Sequence, residues 1–375
     1  MSAAVVRGSP RAGVPAAAGL LMPAEWEPHA ATWIAWPHSP RDWPGKFAPI
    51  PWVYGEIARR LAAHETVRIL VNSAAHEKKA RDILARAGAF DPTAGVAAQR
   101  VEFHRIATDR IWARDYGPIY VRSEAPGGGL AIAGFRFNAW AKYPNYARDS
   151  RVAEKIARAT GRPVRPVVVR GEKLVLEGGS IDVNGRGSLL TTEECLLDRE
   201  VQPRNPRLSR EEIEGALRDA LGARNVLWLA RGIAGDDTHG HVDDLCRFVA
   251  PGSMVLCREK NPTDVNYAAL EENRERVEGF RLEDGSRPEV VFLPMPGPLV
   301  HAGRRLPASY ANFYIANGAV MVPTFNDPGD RLALGILAEL FPGRTVVGIH
   351  AVDLVLGRGT LHCLTQQEPV AANPR

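Results

Sequence analysis

Cysteine is scarce in this chain. There are four in 375 residues, Cys195, Cys246, Cys257 and Cys363, and no two form a CxxC pair. That excludes a disulfide framework and a zinc ribbon, and the scatter suits a reducing, cytoplasmic setting. No apolar run approaches the length of about 18 residues that a membrane-spanning helix needs. Neither sign of charge is in excess: 47 basic residues face 43 acidic ones, with no long basic run, so no nucleic-acid or membrane partner is expected. A long Gly/Ser linker is also missing, which favours one continuous body over tethered domains. Residues 1–20 lack the apolar segment of a secretory signal and read as a disordered extension.

What remains is ordinary globular composition, 45% hydrophobic and 24% charged, in a chain long enough to bury a large core. Helical periodicity marks Val53–Ala63, Ala75–Ala87, Arg151–Thr160, Ser209–Leu221, Pro262–Gly279 and Asp330–Phe341. Ser209-Arg-Glu-Glu carries a capping hydroxyl with a carboxylate three residues on. Strands are expected at Val67–Val71, Val101–Ile106, Pro118–Val121, Leu130–Phe137, Val167–Val169, Val226–Leu229, Val290–Leu293 and Thr345–Ile349. The alternation makes the fold class α/β.

A weak repeat runs through this pattern. Asp115, Glu177, Asp243 and Asn312, spaced by 62, 66 and 69 positions, each lead into strand, turn, strand. The turns fall near Gly127 and at Asn184-Gly185, Pro251-Gly252 and Asn317-Gly318. Copies of one unit about a shared axis would aim these lead residues at one centre.

Several segments hold chemistry-bearing side chains. Trp112-Ala-Arg-Asp-Tyr-Gly-Pro crowds Asp115 against a Gly-Pro turn, and Leu174-Val-Leu-Glu-Gly-Gly-Ser ends an apolar run in Glu177. A carboxylate after a buried strand needs a partner. The densest cluster, residues 236–244, has two imidazoles and four carboxylates in nine residues. It admits two readings. His239, His241 and Asp243, with Asp244, could ligate a metal in a hydrolase. Alternatively, His241 and Asp243, two apart and so on one side of a strand, serve a nucleophile elsewhere. Cys363, between Gly359 and a polar run, makes a poor core cysteine and a good nucleophile, whereas Cys195, Cys246 and Cys257 read as inert. In an extended chain the neighbouring His362 would point away from it.

Together these segments resemble the agmatine deiminase family of the guanidino-modifying superfamily, related to bacterial-type peptidylarginine deiminases. The matching stretches are Met22-Pro-Ala-Glu-Trp-Glu-Pro-His, Trp33-Ile-Ala-Trp-Pro, the Trp112 and Glu177 segments, Gly240-His-Val-Asp, Asn312-Phe-Tyr-Ile-Ala-Asn-Gly and His362-Cys-Leu-Thr-Gln-Gln-Glu-Pro. The resemblance implies a pentein, or α/β propeller: five ββαβ-type units about a pseudo-fivefold axis, forming one catalytic domain over residues 21–370. It implies Cys363 as nucleophile, His241 as general acid/base, Asp115 and Asp243 as guanidinium-binding carboxylates, Glu177 as the third acid and Trp112 as a pocket wall. Neither metal nor cofactor is implied. The partner would be a small guanidino substrate, agmatine or another guanidino compound such as arginine or peptidylarginine, and a homo-oligomer is compatible with it. Arg136 or Arg358 would have to meet an arginine carboxylate. A non-catalytic pentein is the remaining alternative. Two positions depart from the family pattern: Arg358 stands in a stretch that is usually glycine-rich, here Gly357-Arg358-Gly359-Thr360, and His239 where many relatives carry Asp.

Overall fold

The computed structural model describes residues 19–90, 100–123 and 128–371. All but the last two residues of the expected 1–20 extension lie outside that range, as does the turn expected near Gly127.

Each expected helix forms, shifted by a few residues at its ends. Ser209 closes a full capping box: its hydroxyl accepts from Glu212 N while the Glu212 carboxylate accepts from Ser209 N, and the helix runs Arg210–Leu221 before Gly222 ends it in the left-handed region. The helix expected from Pro262 begins at Tyr267, because Asn261 Oδ1 takes the Thr263 N–H and hydroxyl and Asp264 takes the Asn266 N–H, which folds 261–266 into turns. The strand expected at Val167–Val169 is divided. Val164–Pro166 pairs with Leu130–Gly134, whereas Val168–Val169 folds back on Glu172–Lys173 through the left-handed residues Arg170 and Gly171.

Five sheets share one plan: an antiparallel pair, then a parallel strand reached through a helix. In the first, Ile119–Ser123 pairs with Leu130–Gly134, and helix Val152–Thr160 leads to parallel Val164–Pro166. The second has Asp182–Val183, Ser188–Thr192 and Asn225–Leu229, the third Cys246–Ala250, Ser253–Arg258 and Glu289–Pro294, and the fourth Tyr314–Ile315, Ala319–Thr324 and Thr345–His350. The fifth joins distant parts of the chain: Thr365–Pro369 lies antiparallel to His29–Ala35, which pairs in parallel with Thr66–Leu70. His29–Ala35, unforeseen as a strand, is almost wholly buried and therefore lacks the alternation that exposes a strand in sequence.

Ahead of each antiparallel pair sits a lead residue. Asp115, Glu177, Asp243 and Asn312 precede the first four, as their spacing predicts, and Cys363 precedes the fifth. Four of these leads lie in or beside a single helical turn: Ala113–Tyr116, Gly178–Ser180, Val242–Asp244 and Leu361–Leu364. Such a turn lifts a side chain out of the sheet and aims it past the strand end. The expectation of strand alternation at His241 and Asp243 is corrected on this point.

Candidate active site

Two of the lead residues, Asp115 and Cys363, line a cavity of about 600 Å³, a size suited to a small molecule, and the others lie buried outside its lining. Cys363, Asp115 and Trp112 line it, and the Cys363 side chain is 7% exposed. Asn312 builds the turn that holds the thiol. Its Oδ1 accepts from Thr360 Oγ1 (2.7 Å) and from the backbone N–H groups of His362 (3.1 Å) and Cys363 (3.4 Å), while its Nδ2 donates to Cys363 Sγ (3.1 Å) and Asp244 Oδ1 (3.0 Å). The repeat flagged Asn312, but its amide chemistry was missed; a site residue that only positions others carries no charge to mark it.

Behind the thiol, the carboxylates and His241 crowd together. Cys363 Sγ lies 3.7 Å from Asp243 Oδ2. His241 Nδ1 lies 3.7 Å from Asp115 Oδ1 and its Nε2 3.8 Å from Glu177 Oε2. Asp115 is held by Trp140 Nε1 (2.9 Å) and Gly179 N (3.1 Å). Glu177 pairs with the buried Arg204 Nε at 3.1 Å, which supplies the partner that its burial demands. Asp243 accepts from His362 Nδ1 at 2.7 Å, and His362 Nε2 meets Glu25 Oε2 at 2.8 Å. His362 therefore works on Asp243 from a helical turn, rather than pointing away along an extended strand. Both ring nitrogens of His241, Oε2 of Glu177 and Oδ1 of Asp243 are buried without a hydrogen-bond partner. Orphans of this kind are rare in folded proteins; the two carboxylate oxygens are acceptors left open for a ligand rich in N–H groups, and the imidazole sits between them.

The electrostatics follow from burial and proximity. Burial, with Asp243 and Asp244 beside it, pushes the Cys363 thiol well above its ordinary range. Burial, with Asp243 and Glu177, raises Asp115 to about 6. His241 moves the other way from most buried imidazoles: burial works against its charge, yet Asp115 and Glu177 hold its proton well above the usual range. Glu177 stays ionised because Arg204 outweighs burial, and Asp243 because His362 does. Without a bound cation, the site is a protonated imidazole and a neutral thiol among carboxylates. A nucleophilic thiol ionises most readily beside positive charge, and the free site surrounds Cys363 with the opposite sign.

Other expected residues fall elsewhere. His239 adopts a left-handed backbone (φ 65°) that turns it from the cavity, with Nε2 on Asp198 at 3.0 Å. The His239–His241–Asp243 metal triad is therefore not assembled. Among the described residues, the potential metal-ligating sets within 4.8 Å are Glu177–Cys195–His241 and Asp243–Asp244–Cys363, neither of which includes His239. Cys195 is no isolated core thiol, since it lies against His241 and Glu177; no motif surrounds it in sequence. Arg136 is exposed and outside the cavity. Arg358 lines the mouth and donates to Asp237 at 3.0 Å.

Comparison with known proteins matches residues 21–369 to the Porphyromonas-type peptidyl-arginine deiminase family. The chain is 37% identical to the agmatine deiminase of Stutzerimonas stutzeri (strain A1501), over 94% of this chain and 96% of that one. It is 36% identical to the agmatine deiminase of Pseudomonas aeruginosa (strain LESB58), over 95% and 97%. Among solved structures, the agmatine deiminase of Enterococcus faecalis superposes with a TM-score of 0.84 at 31% identity, covering 95% of this chain and 97% of that one.

Proposed function

The chain belongs to the Porphyromonas-type peptidyl-arginine deiminase family, and from that premise we propose that it is an agmatine deiminase, hydrolysing agmatine to N-carbamoylputrescine and ammonia. The observation that carries the reading is the meeting of one thiol, one imidazole and three carboxylates, drawn from four separated segments, with the buried oxygens Glu177 Oε2 and Asp243 Oδ1 left unpaired for a planar cation to satisfy.

In this reading Asp115 and Asp243 accept the N–H groups of the guanidinium and fix its plane, which brings the central carbon to Cys363 with little entropy left to lose. Trp112 walls the bound group. The arriving positive charge offsets the carboxylates that hold the thiol neutral, and the Asn312 amide already donates to the sulfur. As the cation docks the thiol gives its proton to solvent, and the resulting thiolate bonds to the central carbon. The C–N bond to one terminal nitrogen breaks as that nitrogen takes a proton from His241 and leaves as ammonia. His241, now neutral, removes a proton from water; the hydroxide adds to the thiouronium carbon, and the C–S bond breaks to return the thiolate and release the ureido product. Glu177 steadies the imidazolium in both halves.

The same reading takes the five sheets as five units about a pseudo-fivefold axis, forming a single pentein domain over residues 21–370. Cys363→Ala tests the nucleophile. The variant should lose ammonia release from agmatine, with residual activity down by more than about a thousandfold, while still binding agmatine by calorimetry. Full turnover in that variant would remove Cys363 from the mechanism.

A further inference from the structure

The guanidinium end of the cavity is crowded with carboxylates, but agmatine also carries a primary ammonium at its far end. Besides Asp115, three acidic residues line the same cavity: Asp42, Asp109 and Asp237. Asp237 is already neutralised, by Lys142 Nζ at 2.7 Å, Arg358 at 3.0 Å and the Tyr143 hydroxyl. Asp109 accepts from Arg148 N at 2.8 Å, with the Arg148 guanidinium at 3.8 Å. Asp42 differs from both, because its Oδ2 is shut away from solvent with no hydrogen-bond partner. Of the cations along that wall, Arg41 is exposed, and Arg110 spends its terminal N–H groups on Asn145, at 2.7 Å to the carbonyl and 2.9 Å to Oδ1, with its guanidinium 4.4 Å from the centre of the Tyr143 ring.

Asp42 is also held firmly beside the nucleophile segment. Its neighbour Trp43 is fully buried and donates from Nε1 to Leu354 O at 3.0 Å. The Trp43 ring packs so closely on Gly357 that a Cβ there would lie 2.7 Å from it, and it meets Trp112 at a tilt, 6.1 Å between ring centres. The Tyr54 hydroxyl, buried beneath, is within electrostatic reach of both Asp42 and Cys363. The loop therefore has little freedom to swing Asp42 away, and its carboxylate shares one chamber with the reacting thiol.

We infer that Asp42 is the anchor for the distal ammonium of the substrate, making this chain selective for guanidino compounds that end in a primary amine. Burial, with Arg110 and Ser39 opposing it, raises the Asp42 carboxyl above its ordinary value, and an ammonium docked on the side of this carboxylate that lines the cavity relieves that. The inference rests on the agmatine reading above and adds the group that selects the tail.

The test compares agmatine with butylguanidine, which has the same reacting group and no amine, in wild type and Asp42→Asn. The expected result is a KM for agmatine raised roughly ten- to hundredfold, the loss of one charge-assisted hydrogen bond, with little change in kcat. Kinetics on butylguanidine should be unchanged, and Asp42→Glu should recover part of the agmatine affinity. A wild-type KM for agmatine in Asp42→Asn overturns the inference. So does an equal loss on both substrates, which would make Asp42 a structural residue. Silence of the wild-type enzyme on agmatine would instead sink the functional reading itself.

Discussion

A thiol among carboxylates is a poor nucleophile, and Cys363 is surrounded by them. Asp243, Asp244 and Asp115 all disfavour its anion, on top of burial. The arrangement makes sense if the substrate supplies the missing positive charge, so that the sulfur ionises only when there is something to attack. Asp115 sets the acid limit of this device. It must be ionised to receive a guanidinium, and burial with its acidic neighbours raises it to about 6 in the free site. As pH falls through that value the carboxyl gains its proton and the receptor loses half its charge. Below pH 6, kcat/KM for agmatine should therefore fall about tenfold per pH unit, while kcat falls only at lower pH because the bound cation keeps Asp115 ionised. His241 sets the opposite limb: its proton is held well above the usual imidazole range, so activity should persist past neutrality before the acid for the leaving ammonia is lost. Initial rates from pH 5 to 10 check both limbs, and an acid limb at the same pH in kcat and kcat/KM would contradict the role given to Asp115.

At the scale of elements, the single helical turns before the sheets do the positioning, and they need glycine at one point. A Cβ on Gly179 would lie 2.5 Å from His241 Nδ1, 2.8 Å from Asp115 Oδ1 and 3.1 Å from Asp243 Oδ2. Its backbone approaches three groups at once, and its N–H also binds Asp115. Gly179→Ala should cost roughly 1–3 kcal/mol of stability through overpacking and lower kcat by a larger factor than any change in KM. Urea unfolding with steady-state kinetics checks this; wild-type kcat would show that the cluster tolerates displacement. Much of this level was legible in the sequence. Asn-Gly and Pro-Gly turns and the spacing of Asp115, Glu177, Asp243 and Asn312 marked four hairpins, because turn chemistry is local. The fifth was not, since its two strands, Thr365–Pro369 and His29–Ala35, come from opposite ends of the described chain. The helical turns escaped notice too: one turn of four residues has no periodicity to detect. Cys195 and His362 looked inert or misdirected because their roles depend on contacts made across the fold.

The whole molecule converges on a residue whose segment matched the family without suggesting a role. Glu25 is buried and receives His362 Nε2 at 2.8 Å, Arg114 at 3.1 Å, Arg247 at 3.0 Å and the Ile315 N–H at 2.9 Å. Those partners come from the segments that carry Asp115, Asp243, Asn312 and Cys363. Arg247 also meets Asp182 at 3.1 Å, beside the Glu177 turn. One carboxylate thus fastens four lead segments directly and a fifth through Arg247, beneath the site rather than in it. Burial would raise the Glu25 carboxyl, but Arg247, His362 and Arg114 outweigh it and hold the group well below the usual range. Because its folded value is depressed, Glu25 contributes stability that is complete above its unfolded pKa of about 4.5 and is lost as pH falls through the folded value. Removing the charge takes an ion-pair partner from the buried guanidinium groups of Arg114 and Arg247, and breaking a buried ion pair costs about 3–5 kcal/mol. Glu25→Gln should therefore lower the urea midpoint strongly at pH 7 and by a shrinking margin as the buffer is taken below pH 4.5, where the unfolded chain takes up the proton that the folded site still excludes. The variant should also lose activity, since His362 no longer steadies Asp243. If its unfolding midpoint matched wild type at pH 7, the five segments would have to be held in register by the sheets alone, and the buried network would be a consequence of their meeting and not its cause.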